Sequence, residues 1–121
     1  MSLSDLARLL HDQGNLTAAR PLYERALAKS EKAVGPEHPS TNYVRCHLSR
    51  LLLLLGRPTE AVTLSETALT AHDKALGRDH AWTKDSARVT ADALDALGRT
   101  EEAKALRERY GVTEAEKPKA S

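Results

Sequence analysis

The sequence predicts an all-α fold in which three helix pairs stack into a solenoid. Three observations lead there. Gly14, Gly56 and Gly98 recur at a spacing of 42 residues, and Gly35 and Gly77 share that spacing. Between these glycines the apolar residues fall at helical intervals. The chain of 121 residues has no Phe, one Trp and three Tyr, so its core must rest on Leu, Ala and Val. Such a core suits close-packed helices better than strands, which favour aromatic and β-branched side chains.

The same register carries many other identities. Ala19, Ala61 and Ala103 align, as do Leu22, Leu64 and Leu106, and Leu10, Leu52 and Leu94. His38 aligns with His80, and Thr41 with Thr83. A fixed period of this length marks a repeat architecture. The units run over about 1–39, 40–81 and 82–110, with a flexible polar tail expected at 111–121. The six helices are expected at about 3–13, 17–34, 40–55, 58–76, 82–97 and 100–110.

Each helix has a local justification. Leu3, Leu6, Ala7 and Leu10 form one face of a first helix that stops at Gly14. Ala19, Leu22, Tyr23, Ala26 and Leu27 sit at i, i+3, i+4, i+7 and i+8 of the second, with Pro21 early in it. The third contains the run Leu51–Leu55, of which Leu51, Leu52 and Leu55 can face a core. In the fourth, Pro58 fits the first turn, where its missing N–H costs nothing. Ala61, Leu64, Ser65, Ala68 and Leu69 repeat the pattern of the second. The fifth ends at Gly98, which like Gly14 and Gly56 can take the positive φ of a helix stop. The sixth opens on Glu101-Glu102, whose charge complements the helix dipole, and ends at Gly111. One helix pair cannot bury both its faces, whereas stacked pairs bury a continuous core. Lys104, Arg107, Glu108 and Arg109 give the last helix a polar outer face suited to capping the stack. The first helix has no such cap ahead of it, so its open end is expected to meet further repeats or a second copy.

Composition excludes several function classes. The single cysteine, Cys46, rules out an intrachain disulfide framework and a cysteine-rich zinc site. Leu51–Leu55 is far short of the roughly 20 apolar residues of a membrane span. No apolar segment near the N-terminus reads as a secretory signal. A formal net charge of +1 leaves no electrostatic footprint for nucleic acid. A reducing, cytoplasmic compartment is therefore expected, and the abundance of Arg, Ala and Leu points to a GC-rich bacterial source. The glycines are absorbed by the repeat, which leaves no phosphate-binding loop, and no nucleophile motif is present. Cys46 lacks a repeated histidine partner, and no His or Cys pair has metal-ligand spacing. Neither enzymatic activity, metal nor cofactor is expected.

Unit 1 carries Leu6-Ala7, Leu9-Leu10, Gln13-Gly14, Ala19, Leu22-Tyr23-Glu24-Arg25-Ala26-Leu27, Glu31-Lys32 and Gly35-Pro36-Glu37-His38-Pro39-Ser40-Thr41. This pattern resembles tetratricopeptide repeats in their 42-residue, kinesin-light-chain-like form. Unit 2 keeps the loop as Gly77-Arg78-Asp79-His80-Ala81-Trp82-Thr83. The resemblance covers residues 3–110 and implies a right-handed solenoid of the tetratricopeptide type. It implies a non-catalytic scaffold that holds a peptide or partner segment in a concave groove lined by the first helix of each unit. Carried over position by position, the groove would present Arg8, His11 and Asp12 in unit 1. Unit 2 would add Tyr43, Cys46, Arg50, Leu53 and Leu54, and unit 3 Asp85, Arg88, Asp92 and Asp95. Where kinesin-type units carry Asn-Asn in the first helix, this chain has Ser4-Asp5, Cys46-His47 and Arg88-Val89.

The residues leave two readings at several positions. Arg8 and Arg50 occupy the same place in successive units, with Arg45 and Arg88 nearby. They form either a basic surface for an acidic partner or a solvated helix face. Leu53 and Leu54 are either an apolar floor for a bound segment or packing against neighbouring units. His38 and His80 recur with the loop and are expected to cap backbone groups. Trp82 either pins a helix junction or stands exposed as an anchor. The expected function is protein–protein interaction, with structural self-association through the array ends or the apolar groove as the alternative.

Overall fold

A computed structural model describes residues 2–113. Six helices follow in order: α1 (Leu3–Asp12), α2 (Leu16–Val34), α3 (Pro39–Leu54), α4 (Pro58–Leu76), α5 (Ala81–Ala96) and α6 (Thr100–Tyr110). Among the described residues there is no strand. The expected all-α stack of three helix pairs is the observed architecture, with helix ends at or one residue from the expected positions.

The stops of the first helices are three copies of one device. At the end of α1 the Gly14 N–H donates to His11 O at 2.9 Å and the Asn15 N–H to Leu10 O at 2.8 Å. The same two bonds recur at Gly56 and Arg57 after α3, and at Gly98 and Arg99 after α5. Each is the doubly bonded glycine stop that satisfies the orphan carbonyls of a helix end. It requires positive φ, and Gly14, Gly56 and Gly98 stand at 82°, 77° and 78°. The loop histidines do the complementary work at helix starts. His38 Nδ1 accepts from the Ser40 N–H and His80 Nδ1 from the Trp82 N–H, each at 3.0 Å. This cap lets Pro39 take the first position of α3.

The core is built around small residues. Ala7, Ser49 and Ala91 align in the register, as do Ala19, Ala61 and Ala103, and all six are fully buried. Leucines close around them, with Leu48, Leu51, Leu52 and Leu94 in one continuous cluster. The buried hydroxyl of Ser49 donates to Arg45 O at 2.8 Å and so carries no unmet bond.

Two buried polar side chains tie the loops to the stack. Arg45 is buried rather than part of a basic surface. Its Nη1 donates to Pro36 O at 2.6 Å and to Asn42 Oδ1 at 2.7 Å, and its Nη2 pairs with Glu31 Oε2 at 2.7 Å. His72 lies 3.0 Å from Pro39 O through Nε2 and 2.8 Å from Ser86 Oγ through Nδ1. The carbonyl can only accept, so Nε2 holds the proton and Nδ1 accepts from the serine. One imidazole thereby joins α3, α4 and α5.

The C-terminal end packs further than the expected tail boundary at residue 111. Gly111 takes the left-handed conformation at φ 66° and returns Val112 to the core, buried with Leu69, Ala87 and Tyr110. The remainder of the expected tail, 114–121, lies outside the described residues.

Burial within the leucine run is sharply graded. Leu52→Ala removes a fully enclosed side chain and is expected to cost about 2–5 kcal/mol. Leu54, 60% exposed, should cost under about 0.5 kcal/mol when changed to Ala. Urea denaturation of the two variants checks the contrast.

Candidate functional site

The two sides of the stack approach unequally. The backbone of α1 comes close to α3, and that of α3 to α5, whereas α2, α4 and α6 meet only through side chains such as Arg20 with Glu60 and Tyr110 with Asp73. The first helices therefore lie on the inner side. Arg8 on α1 reaches across this side and its Nη1 donates to Tyr43 Oη on α3 at 3.4 Å.

A chain of rings runs along the same region. The His11 ring stands edge-on to Tyr23 at a centroid distance of 6.5 Å. Tyr23 stacks with His47 at 6.3 Å, and His47 meets Tyr43 at 4.4 Å. Tyr43 continues to Trp82 at 4.7 Å, which lies 5.9 Å from His72 and 5.8 Å from His80. Trp82 is half-buried and joins α5 to α3 and α4, so of its two readings the helix junction is the observed one. An open cavity of about 500 Å³ lies beside Tyr43 and Trp82, with Leu3, Ala26, Ala33 and Val44 among its walls.

Burial and charge set the protonation states here. Burial holds His47 down at about 3, reinforced by Arg50, Arg8 and His11. His11 is lowered chiefly by burial, Asp12 opposing and Arg50 assisting. Burial raises the Tyr23 phenol to about 12. Its hydroxyl is buried with no hydrogen-bond partner. Two arginines thus stand beside two neutral imidazoles, and among the described residues neither Arg8 nor Arg50 forms an ion pair.

The other expected groove positions divide. Cys46 is buried, packed against Ala68, Val89 and Leu53, and offers no wall to a ligand. Burial pushes its thiol up. Leu53 is drawn into the same packing, so the neighbouring-unit reading holds for it, while Leu54 stays exposed. In unit 3, Arg88 pairs with Asp85 at 2.7 Å. Asp92 and Asp95 both receive Arg107 Nη2 from α6, at 3.0 and 2.7 Å. These two carboxylates hold the last helix to α5. Sequence reasoning missed His47 as a link in the ring chain. The i, i+4 spacing of Tyr43 and His47 was the available signal.

No helix among the described residues is long and apolar enough to cross a membrane. A family model described as tetratricopeptide repeat matches residues 1–71 and again 43–110. Two crystal structures of nearly identical TPR-like repeats of kinesin light chain type from Podosopora anserina are similar to this chain. One, which carries a single substitution, has a TM-score of 0.81 at 29% identity and covers 97% of this chain and 55% of its own. The other has a TM-score of 0.82 at 29% identity, with 97% and 56% covered. The chain thus spans little more than half the length of these relatives. No curated protein matches it.

The lowered histidines make stability depend on pH in one direction. His11, His47 and His72 all have folded values below the ordinary 6.5. Below about pH 6.5 the unfolded chain therefore binds more protons than the folded one, and stability falls as pH falls toward the folded values. His47 alone contributes a slope of up to about 1.4 kcal/mol per pH unit at its steepest. Urea midpoints measured between pH 7.5 and 5 should decline, and His47→Gln should flatten the decline.

Proposed function

The chain belongs to the tetratricopeptide repeat family, and we propose that it is a non-catalytic scaffold whose groove takes an acidic segment of a partner protein. One observation carries the reading. Exposed Arg8, bonded to Tyr43, and half-buried Arg50, a full unit on and close to His11 and His47, have no carboxylate ion-pair partner among the described residues. Guanidinium groups bind carboxylates through paired N–H donors, and the neutral state of His11 and His47 leaves this charge to the arginines.

The other end of the groove has the opposite character. Arg88, Asp92 and Asp95 are engaged in ion pairs within the chain, which leaves the positive end as the one that attracts a ligand. Tyr43 and Trp82 supply apolar contact beside it, and Leu54 stands exposed at the far end of α3. We place the protein in a bacterial cytoplasm, where Cys46 remains a thiol.

The sole tryptophan makes the test direct. Acidic peptides titrated into the protein should change Trp82 fluorescence, and the same peptides with Lys in place of Asp and Glu should not. Arg50→Glu should weaken the acidic peptides at least tenfold without changing the sedimentation coefficient. Raising salt should weaken them too. Equal binding of both charge classes, or an unaffected Arg50→Glu variant, would refute the proposal.

A further inference from the structure

Three positions of the register form a closed ionic set in unit 3. Asp92 and Asp95 on α5 receive Arg107 Nη2 from α6 at 3.0 and 2.7 Å. In unit 1 the same positions hold Arg8, His11 and Tyr23. In unit 2 the position of Arg8 holds Arg50. The carboxylates of unit 3 are thus replaced by a guanidinium and an imidazole, and its guanidinium by a phenol. The unit 1 set keeps no anion of its own.

Its side chains still gather as a cluster. The Tyr23 ring lies 6.5 Å from His11 and 6.3 Å from His47. Arg8, Arg50, Asp12 and Tyr43 all stand close enough to bear on the Tyr23 phenol. Arg50 bears in turn on His11 and His47.

Hydrogen-bond donors collect here without acceptors. Arg50 is half-buried, yet its guanidinium meets no hydrogen-bond partner among the described residues. Tyr23 is fully buried and its hydroxyl has no partner either. Buried polar groups are nearly always bonded, so two such gaps side by side call for an acceptor. His11 and His47, both neutral at pH 7, each add a ring N–H. Arg8 spends one N–H on Tyr43 Oη, and that bond is long at 3.4 Å. Asp12, the carboxylate that bears on His11, is exposed. In unit 3 the chain supplies the missing acceptors itself, whereas in units 1 and 2 an oxyanion from outside has to.

Charge selects the oxyanion. A carboxylate brings a single charge and would leave one guanidinium unmatched. A phosphoryl group brings nearly two charges and three acceptor oxygens, and guanidinium forks fit it through paired N–H donors. On the reading that the groove takes an acidic segment, we propose that Arg8 and Arg50 clamp a phosphorylated side chain of that segment, with Tyr23, His11 and His47 as further donors. The Tyr23 hydroxyl is closed off in the free chain, so the phosphoryl group gains it by displacing the long Arg8–Tyr43 bond.

Calorimetric titration of the full chain tests this. The acidic peptides of the groove titration are prepared in two forms that differ at one position, Glu or phosphoserine. The phosphoserine form should bind at least tenfold more tightly. Its affinity should rise from pH 5.5 to 7.5 as the phosphoryl group loses its second proton near about pH 6, and that of the Glu form should not. The histidines cannot mimic this rise, because their protonation at low pH would add positive charge and strengthen binding there. Tyr23→Phe removes only a hydroxyl that the free fold leaves unbonded. It should weaken the phosphoserine form at least threefold and leave the Glu form unchanged. Arg50→Lys, which keeps the charge and loses the fork, should weaken the phosphoserine form at least tenfold. Equal affinity for the two forms overturns the phosphoryl clamp and leaves the acidic-segment reading standing. Binding of neither overturns both. Inorganic phosphate that binds as tightly as the phosphoserine form, followed by phosphorus NMR, also overturns the clamp, because the site would then hold a free anion.

Discussion

Everything in this structure depends on how closely two helices can approach. Ala7, Ser49 and Ala91 in the first helices, and Ala19, Ala61 and Ala103 in the second, have no room left around them. Interaxial distance follows from side-chain size at the contact. Small residues kept in register make the helix pairs alike, and like pairs can stack. The leucines then fill what the close approach leaves, at a packing density that tolerates little change of volume. The glycine stops matter for the same reason. They turn the chain within a few residues and deliver the next helix at the same angle each time.

Close packing also explains where the polar groups went. Arg45, Asn42 and His72 are buried yet bonded, Arg45 and Asn42 both holding the Pro36 carbonyl of the preceding loop and His72 linking α4 to α3 and α5. Tyr23 and Thr83 are the exceptions, each with a hydroxyl enclosed without a partner, and the Tyr23 ring links His11 to His47. The register places Arg107 where Tyr23 stands in unit 1. There Arg107 meets Asp92 and Asp95, as Tyr23 lies beside His11 with Arg8 close enough to lower its phenol. One position thus does apolar work at one end of the stack and ionic work at the other.

Much of the fold was legible because repetition multiplies weak signals. A single Gly or Ala says little, but Gly14, Gly56 and Gly98 in register with Ala19, Ala61 and Ala103 define turns and contacts together. The loop histidines were readable as caps for the same reason. The site was less legible. Cys46 and Leu53 occupy positions that a register argument assigns to the groove, yet Cys46 is buried and Leu53 half-buried against neighbouring side chains. Register specifies which way a backbone position points, not how far an adjacent side chain extends over it. The ring chain through Tyr23, His47, Tyr43 and Trp82 was hidden because its members come from four positions that do not repeat.

The sequence by itself determined the helices, their ends, the three-unit stack and the family, since each follows from local spacing and from the 42-residue register. Tertiary structure alone decided which charges remain available. Asp92, Asp95 and Arg107 are distant in sequence or lie on different helices, and their pairing depends on how α6 packs on α5. Arg8 and Arg50 have no counterpart at that distance. An ion pair is a matter of a few ångströms between side-chain ends, and one-dimensional spacing does not carry that information across separate helices.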